Sequence, residues 1–144
     1  MTTRKEVDKF IESQKSIQSY PKVKKALKEV LLSIPNKEYK NITKNLILMV
    51  LHEGALGQVM HFPSMGSKFK ILQLTFPKKI PINALRWVIA HELGHVSQNR
   101  NWKNGEKEDL ESDADKIAEG WGFLKTRMIK EWIKKHGVRH STFS

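Results

Sequence analysis

Cysteine is absent from the 144 residues, so disulfide stapling and thiolate ligation are excluded and any metal ion must be held by His, Asp or Glu. Long apolar runs are missing as well. The opening stretch MTTRKEVDKFIESQK contains no apolar core of signal-peptide length, and no later stretch approaches a membrane span, which makes the cytoplasm the simplest location, with no membrane partner expected. Acidic residues are few: 15 Asp and Glu against 26 Lys and Arg give a formal charge of +11. Such an excess attracts nucleic acid, anionic lipid or acidic polypeptide over a Debye length. The lysines are nevertheless scattered, for example at Lys22, Lys28, Lys78 and Lys134, with no basic run interleaved with aromatics of the kind that holds single strands. The first 35 residues also show no clear glycine turn of a helix-turn-helix. The charge therefore reads as solvated faces, and nucleic acid is not the expected partner.

What is present suits one globular domain. A hydrophobic share of 39% with four Trp and six Phe can fill a core, and 28% charged residues keep the chain out of the disordered and membrane classes. The length accommodates one sizeable core and not two. The expected organisation is a helical N-terminal segment over 1–40, a core over 45–135 and a basic tail over 136–144.

Three-to-four spacing of Val7, Phe10, Ile11 and Ile17, then of Val23, Leu27, Val30 and Leu31, predicts helices over 4–18 and 22–33, punctuated by Pro21 and Pro35. The polar stretch PNKEYKNITKN follows. LILMVLHE, GQVMHF and KFKILQLTF then read as strands separated by GALG and PSMGS turns. Helical spacing returns with Leu85, Val88, Ile89, Leu93 and Val96, where Asn83 is a candidate cap. It resumes after the Asn-Gly turn of NWKNGEKE through Leu110, Ala114, Ala118 and Trp121, and again over 124–135. The fold class expected is α+β, a small mixed three-stranded sheet packed with helices.

One hexapeptide carries chemistry: AHELGH, residues 90–95. Positions i and i+4 of a helix lie one above the other, so His91 and His95 can present imidazole nitrogens to a common point. Glu92, rotated about 100° from His91, stands beside that point and can take a proton from a water there. Six histidines and eleven glutamates in 144 positions produce this pattern by chance about 0.02 times per chain. That is too rarely for two hydrogen-bonded core-edge histidines to be the better account. A catalytic zinc site needs a third protein ligand and one open position. Downstream, LESDAD again places two carboxylates at i and i+4, Glu111 and Asp115, on one edge of the Leu110–Ala114–Ala118 stripe. One of them can bind the ion while the other accepts the N–H of a ligating histidine. Glu108, Asp109 and Asp113 compete but point more outward. A solvated acidic helix start, favoured by the macrodipole, is the plainer account of the same cluster.

His91-Glu92-Leu-Gly-His95 followed by Glu111-Ser-Asp-Ala-Asp115 resembles the gluzincin type of zinc metallopeptidase, over about 35 residues, 85–121. The resemblance implies Zn²⁺ held by His91, His95 and Glu111, with Glu92 as general base and Asp115 supporting a histidine. It also implies a zinc-dependent endopeptidase acting on a peptide or protein substrate. The short chain is similar to the minimal single-domain minigluzincins. The ImmA/IrrE family, which acts on transcriptional regulators, is the second resemblance. In the clan the last strand before the active-site helix lies along the cleft. KFKILQLTF holds that place, and Lys68 and Lys70 are charges of the kind that protect an exposed edge. Ile71, Leu72, Gln73 and Leu74 are therefore expected to hold an extended substrate by backbone addition. The clan's oxyanion-stabilising His or Tyr has His61, His136 and His140 as candidates. The alternative function is a zinc-containing regulatory or interaction protein built on the same scaffold.

Overall fold

A computed structural model describes residues 2–51, 57–61, 70–75, 79–98 and 107–135. Within them the order is α1 (Arg4–Ser13), α2 (Pro21–Leu32), α3 (Asn36–Thr43), β1 (Leu46–Leu51), β2 (Gly57–His61), β3 (Lys70–Thr75), α4 (Ile82–Ser97), α5 (Lys107–Gly120) and α6 (Arg127–Lys135), with a 3₁₀ turn at Lys15–Ile17. The class is α+β and mostly helical. No helix among the described residues is long and apolar enough to cross a membrane.

Local chemistry sets the first two helix starts. Thr3 and Glu6 form a capping box at α1, satisfying two otherwise orphaned N–H groups. Pro21 opens α2 at a position where its missing N–H costs nothing. The first helix stops at Ser13 rather than running to residue 18, because Gln14 leaves the helical region and turns inward. Its amide spans β1: Nε2 donates to Leu46 O at 3.0 Å while Oε1 accepts from Leu48 N–H at 2.9 Å. Ser16 Oγ then accepts from Val50 N–H at 3.0 Å. Alternate backbone groups on the outer edge of β1 are thus closed by side chains, which blocks pairing with another strand.

The polar stretch after Pro35, to which the spacing assigns no element of its own, is helix α3. Tyr39 and Ile42, three apart, are both buried, and two residues proved too thin a signal beside six polar ones. Asn45 turns the chain into β1 with φ 58°, a left-handed conformation that Asn tolerates better than most residues.

The sheet order is β1-β3-β2, with β1 parallel to β3 and β2 antiparallel to it. Leu46, Leu48, Leu72 and Leu74 are buried on one face, as period-two alternation requires. This order corrects the edge assignment of KFKILQLTF. Ile71, Leu72, Gln73 and Leu74 pair with Ile47–Val50 on one side and with Gly57–Met60 on the other. Their main-chain groups belong to two ladders and are not offered to an incoming peptide. Lys70, read as an edge-protecting charge, instead donates from Nζ to the carbonyls of Asn41 and Ile42 at the end of α3.

One contiguous core joins the N-terminal helices to the rest, running from Val7 and Ile11 through Leu27 and Leu31 to Leu85, Ile89 and Ile133. Helix α4 passes through its middle. It is tied to α2 by the Arg86–Glu29 ion pair, and the end of α5 is tied to α3 by Trp121 Nε1–H donating to Glu38 at 2.7 Å.

Candidate metal centre

Helix α4, INALRWVIAHELGHVS, is apolar on nearly every side, and twelve of its sixteen residues are buried. A helix with that pattern is a core helix, so His91, Glu92 and His95 are buried by the company they keep. Asn83 does not cap it; Pro81 occupies that position, and Asn83 Oδ1 accepts from Arg86. Burying three ionisable groups is costly unless each finds partners. Those partners decide the chemistry.

His91 Nδ1–H donates to Asp115 Oδ1 at 2.7 Å. Its Nε2 faces Glu111 Oε2 at 2.9 Å and His95 Nε2 at 3.1 Å. His95 Nε2 in turn lies 3.0 Å from Glu111 Oε1, and its Nδ1 lies 3.1 Å from Gln98 Oε1. Both imidazoles therefore turn Nδ1 outward to an oxygen and Nε2 inward to a shared point, with the Glu111 carboxylate closing the third side. Separations of 2.9–3.1 Å approach the roughly 3.3 Å edge of a tetrahedron with bonds of about 2.0 Å, so the donor set fits a small divalent cation. Glu92, fully buried, completes a His91–Glu92–His95 group whose ligand atoms all lie within 4.8 Å of one another and can hold a metal ion.

The two walls approach closely because of Gly94. A Cβ there would stand 3.0 Å from the Ala114 carbonyl oxygen and 3.4 Å from its Cα, so glycine lets α5 lie directly against α4. Leu110, Ala114 and Ala118 are the buried stripe of α5. Glu111 and Asp115 flank it and reach across to the histidines, the pair that the spacing selected.

Electrostatics follow from this geometry. Burial opposes a proton on His91, but hydrogen bonds to Asp115 and Glu111, with the charges of Glu92 and Glu111, outweigh it and raise the pKa from 6.5 to about 9. Burial likewise opposes ionisation of Glu111 and Asp115. Hydrogen bonding to His91, and for Glu111 also to His95, overcomes it and holds both below the usual carboxylate range. Glu92 goes the other way: desolvation dominates and raises its pKa, only partly offset by the charges of His91 and His95. The four carboxylate and imidazole environments are thus driven apart, His91 and Glu92 upward and Glu111 and Asp115 downward.

Three neighbours were not anticipated from the sequence. Trp87, one turn before His91, lies with its ring 4.9 Å from the imidazole, and Lys125 sits over the Trp87 ring at 4.8 Å. Gln98 stands behind His95; its position three residues on, which brings side chains onto one helix face, was a signal available to find it. Beyond Trp87 a cavity of about 360 Å³ opens, with Phe123, Leu124, Met128 and Ile129 among its walls. His136 and His140 lie outside the described residues, and so do the side chains of Glu108 and Asp109 that competed with Glu111. Comparison with family models, with curated proteins and with solved structures returned no match to this chain.

Proposed function

We propose that the chain is a zinc-dependent endopeptidase of gluzincin type, close in plan to the minigluzincins, acting on peptide or protein substrates in the cytoplasm. The observation that carries the reading is the convergence of His91 Nε2, His95 Nε2 and the Glu111 carboxylate within 2.9–3.1 Å, with Glu92 buried beside them. His91, His95 and Glu111 are the proposed ligands. Bound there, zinc supplies Lewis acidity toward a carbonyl and a water. Glu92 takes the proton of the attacking water on a carboxylate oxygen and delivers it to the leaving amine, a task suited to a carboxyl whose pKa burial has raised. Asp115 holds His91 by its Nδ1–H and keeps Nε2 turned to the ion. The apolar cavity beyond Trp87 is of a kind to take a substrate side chain near the reacting centre.

The test compares the wild type with Glu92→Gln, both loaded with zinc, on an unstructured protein substrate. The wild type is expected to cleave it, and the variant to bind zinc equally and cleave nothing. Equal cleavage by both removes Glu92 from the mechanism.

A second reading, a zinc-containing regulatory protein resembling the ImmA/IrrE type, is favoured by one fact. Among the described residues after Glu111 there is neither His nor Tyr to stabilise an oxyanion, and the candidates His136 and His140 lie outside them. A zinc-loaded wild type that hydrolyses nothing but retains a protein partner supports this reading over the first.

A further inference from the structure

Gln98 follows α4 directly and touches both walls of the metal centre. Its Nε2 donates to the carbonyl of Leu110 at 2.8 Å, one residue before Glu111. Its Oε1 faces His95 Nδ1 at 3.1 Å. The amide cannot be turned round without placing its oxygen against the Leu110 carbonyl, acceptor against acceptor. The orientation is therefore dictated by the network. An amide oxygen only accepts, so the nitrogen of His95 that faces it must be the one bearing hydrogen.

We propose that Gln98 is a positioning residue: it accepts from His95 Nδ1–H, leaves Nε2 bare for the metal, and ties that histidine to the start of the helix that supplies Glu111. The proposal rests on the reading of His95 as a metal ligand. The groups facing Nε2 are His91 Nε2 at 3.1 Å and Glu111 Oε1 at 3.0 Å. A proton on Nε2 would be held there by Glu111 and would have to leave before an ion entered. Gln98 draws it to the other nitrogen. Asp115 does the corresponding work for His91 from α5, whereas Gln98 acts from the α4 side and reaches α5 with its second amide atom. Each histidine is thus braced across the same interhelical seam.

The experiment is a zinc titration of the full chain against a competing chelator, paired with proton NMR of the zinc-loaded protein and melting of the metal-free protein. Gln98→Met removes both hydrogen bonds at similar volume; zinc affinity should fall by about 10- to 100-fold, the usual scale for losing a group behind a ligand. The slowly exchanging His95 Nδ1–H signal of the wild type should disappear. Gln98→Glu keeps an oxygen toward His95 and should retain that signal. Metal-free melting should fall modestly in both variants, since each loses the bond to the Leu110 carbonyl, whereas loss of the imidazole signal is confined to Gln98→Met and separates positioning from a merely structural role. Unchanged zinc affinity and an unchanged Nδ1–H signal in Gln98→Met overturn the proposal while leaving the metal centre standing. A wild type that takes up no zinc overturns the metal centre and the proposal together.

Discussion

The two walls of the candidate metal centre are built on opposite terms. On α4 the side chains of His91 and His95 are 2% and 3% exposed, whereas on α5 those of Glu111 and Asp115 are 23% and 38% exposed. The imidazoles are locked in a core that surrounds their helix, and the carboxylates reach in from a helix with one wet side. A rigid imidazole wall and an adjustable carboxylate wall are a sensible division of labour. The core fixes the direction of the Nε2 lone pairs, and the half-solvated wall lets the charge needed to balance a cation avoid the full cost of burial.

The variant expected to expose that contrast most is His91→Ala. It removes a donor and also strips Glu111 and Asp115 of a partner. Zinc affinity should fall by more than the roughly 100-fold seen at most for groups behind a ligand, and the metal-free chain should lose about 1–3 kcal/mol in denaturant unfolding. An unchanged unfolding midpoint would show that the α4 wall is no more structural than the α5 wall.

Asp115→Asn tests the wet wall. The shape is kept and the charge behind His91 is removed, so zinc affinity should drop by about 10- to 100-fold with little change in metal-free stability. A loss of stability equal to that of His91→Ala would erase the distinction.

Acidity separates the walls in a different way. The folded pKa of His91 is raised from 6.5 to about 9, so its contribution to the metal-free fold is fully present below pH 6.5 and is lost as pH rises through 9. Zinc, held as proposed, would displace the Nε2 proton. Affinity should therefore climb by about tenfold per pH unit across that window while metal-free stability falls. Zinc titrations and thermal melts at several pH values check both slopes, and parallel slopes would break the linkage.

Gly94→Ala should give the smallest effect, because two terms oppose. Crowding the Ala114 carbonyl costs roughly 1–3 kcal/mol in a close-packed site, and alanine returns about 1 kcal/mol of helix propensity. The half-solvated α5 can yield by a few tenths of an ångström, so stability should change by only about 1 kcal/mol. Zinc affinity should weaken a few-fold as Glu111 recedes. Tighter zinc binding in this variant would contradict the close-approach role of the glycine.

Much of this was readable from residue spacing. The i,i+4 pair His91 and His95, the i,i+4 pair Glu111 and Asp115, and the apolar stripes that place both on facing helices follow from 3.6 residues per turn and little else. Helix α3 escaped because Tyr39 and Ile42 alone mark its buried face, and the end of α1 because Gln14 obeys β1, more than thirty residues away. Strand identity was legible while strand order was not: the alternation of Leu72 and Leu74 says that one face of β3 is buried and is silent on which strands flank it.

The sequence by itself determined the donor inventory, with no cysteine and two histidines one helical turn apart, and it put those histidines on the flank of an apolar stripe, although the structure buries them fully. These are consequences of composition and of local periodicity. Only the tertiary structure decided that β3 lies between β1 and β2, that α5 lies close enough for Glu111 to meet both Nε2 atoms, and that Gln98 stands behind His95. Each of these depends on which surfaces pack together across distant parts of the chain, and side-chain pattern constrains a face without naming its neighbour.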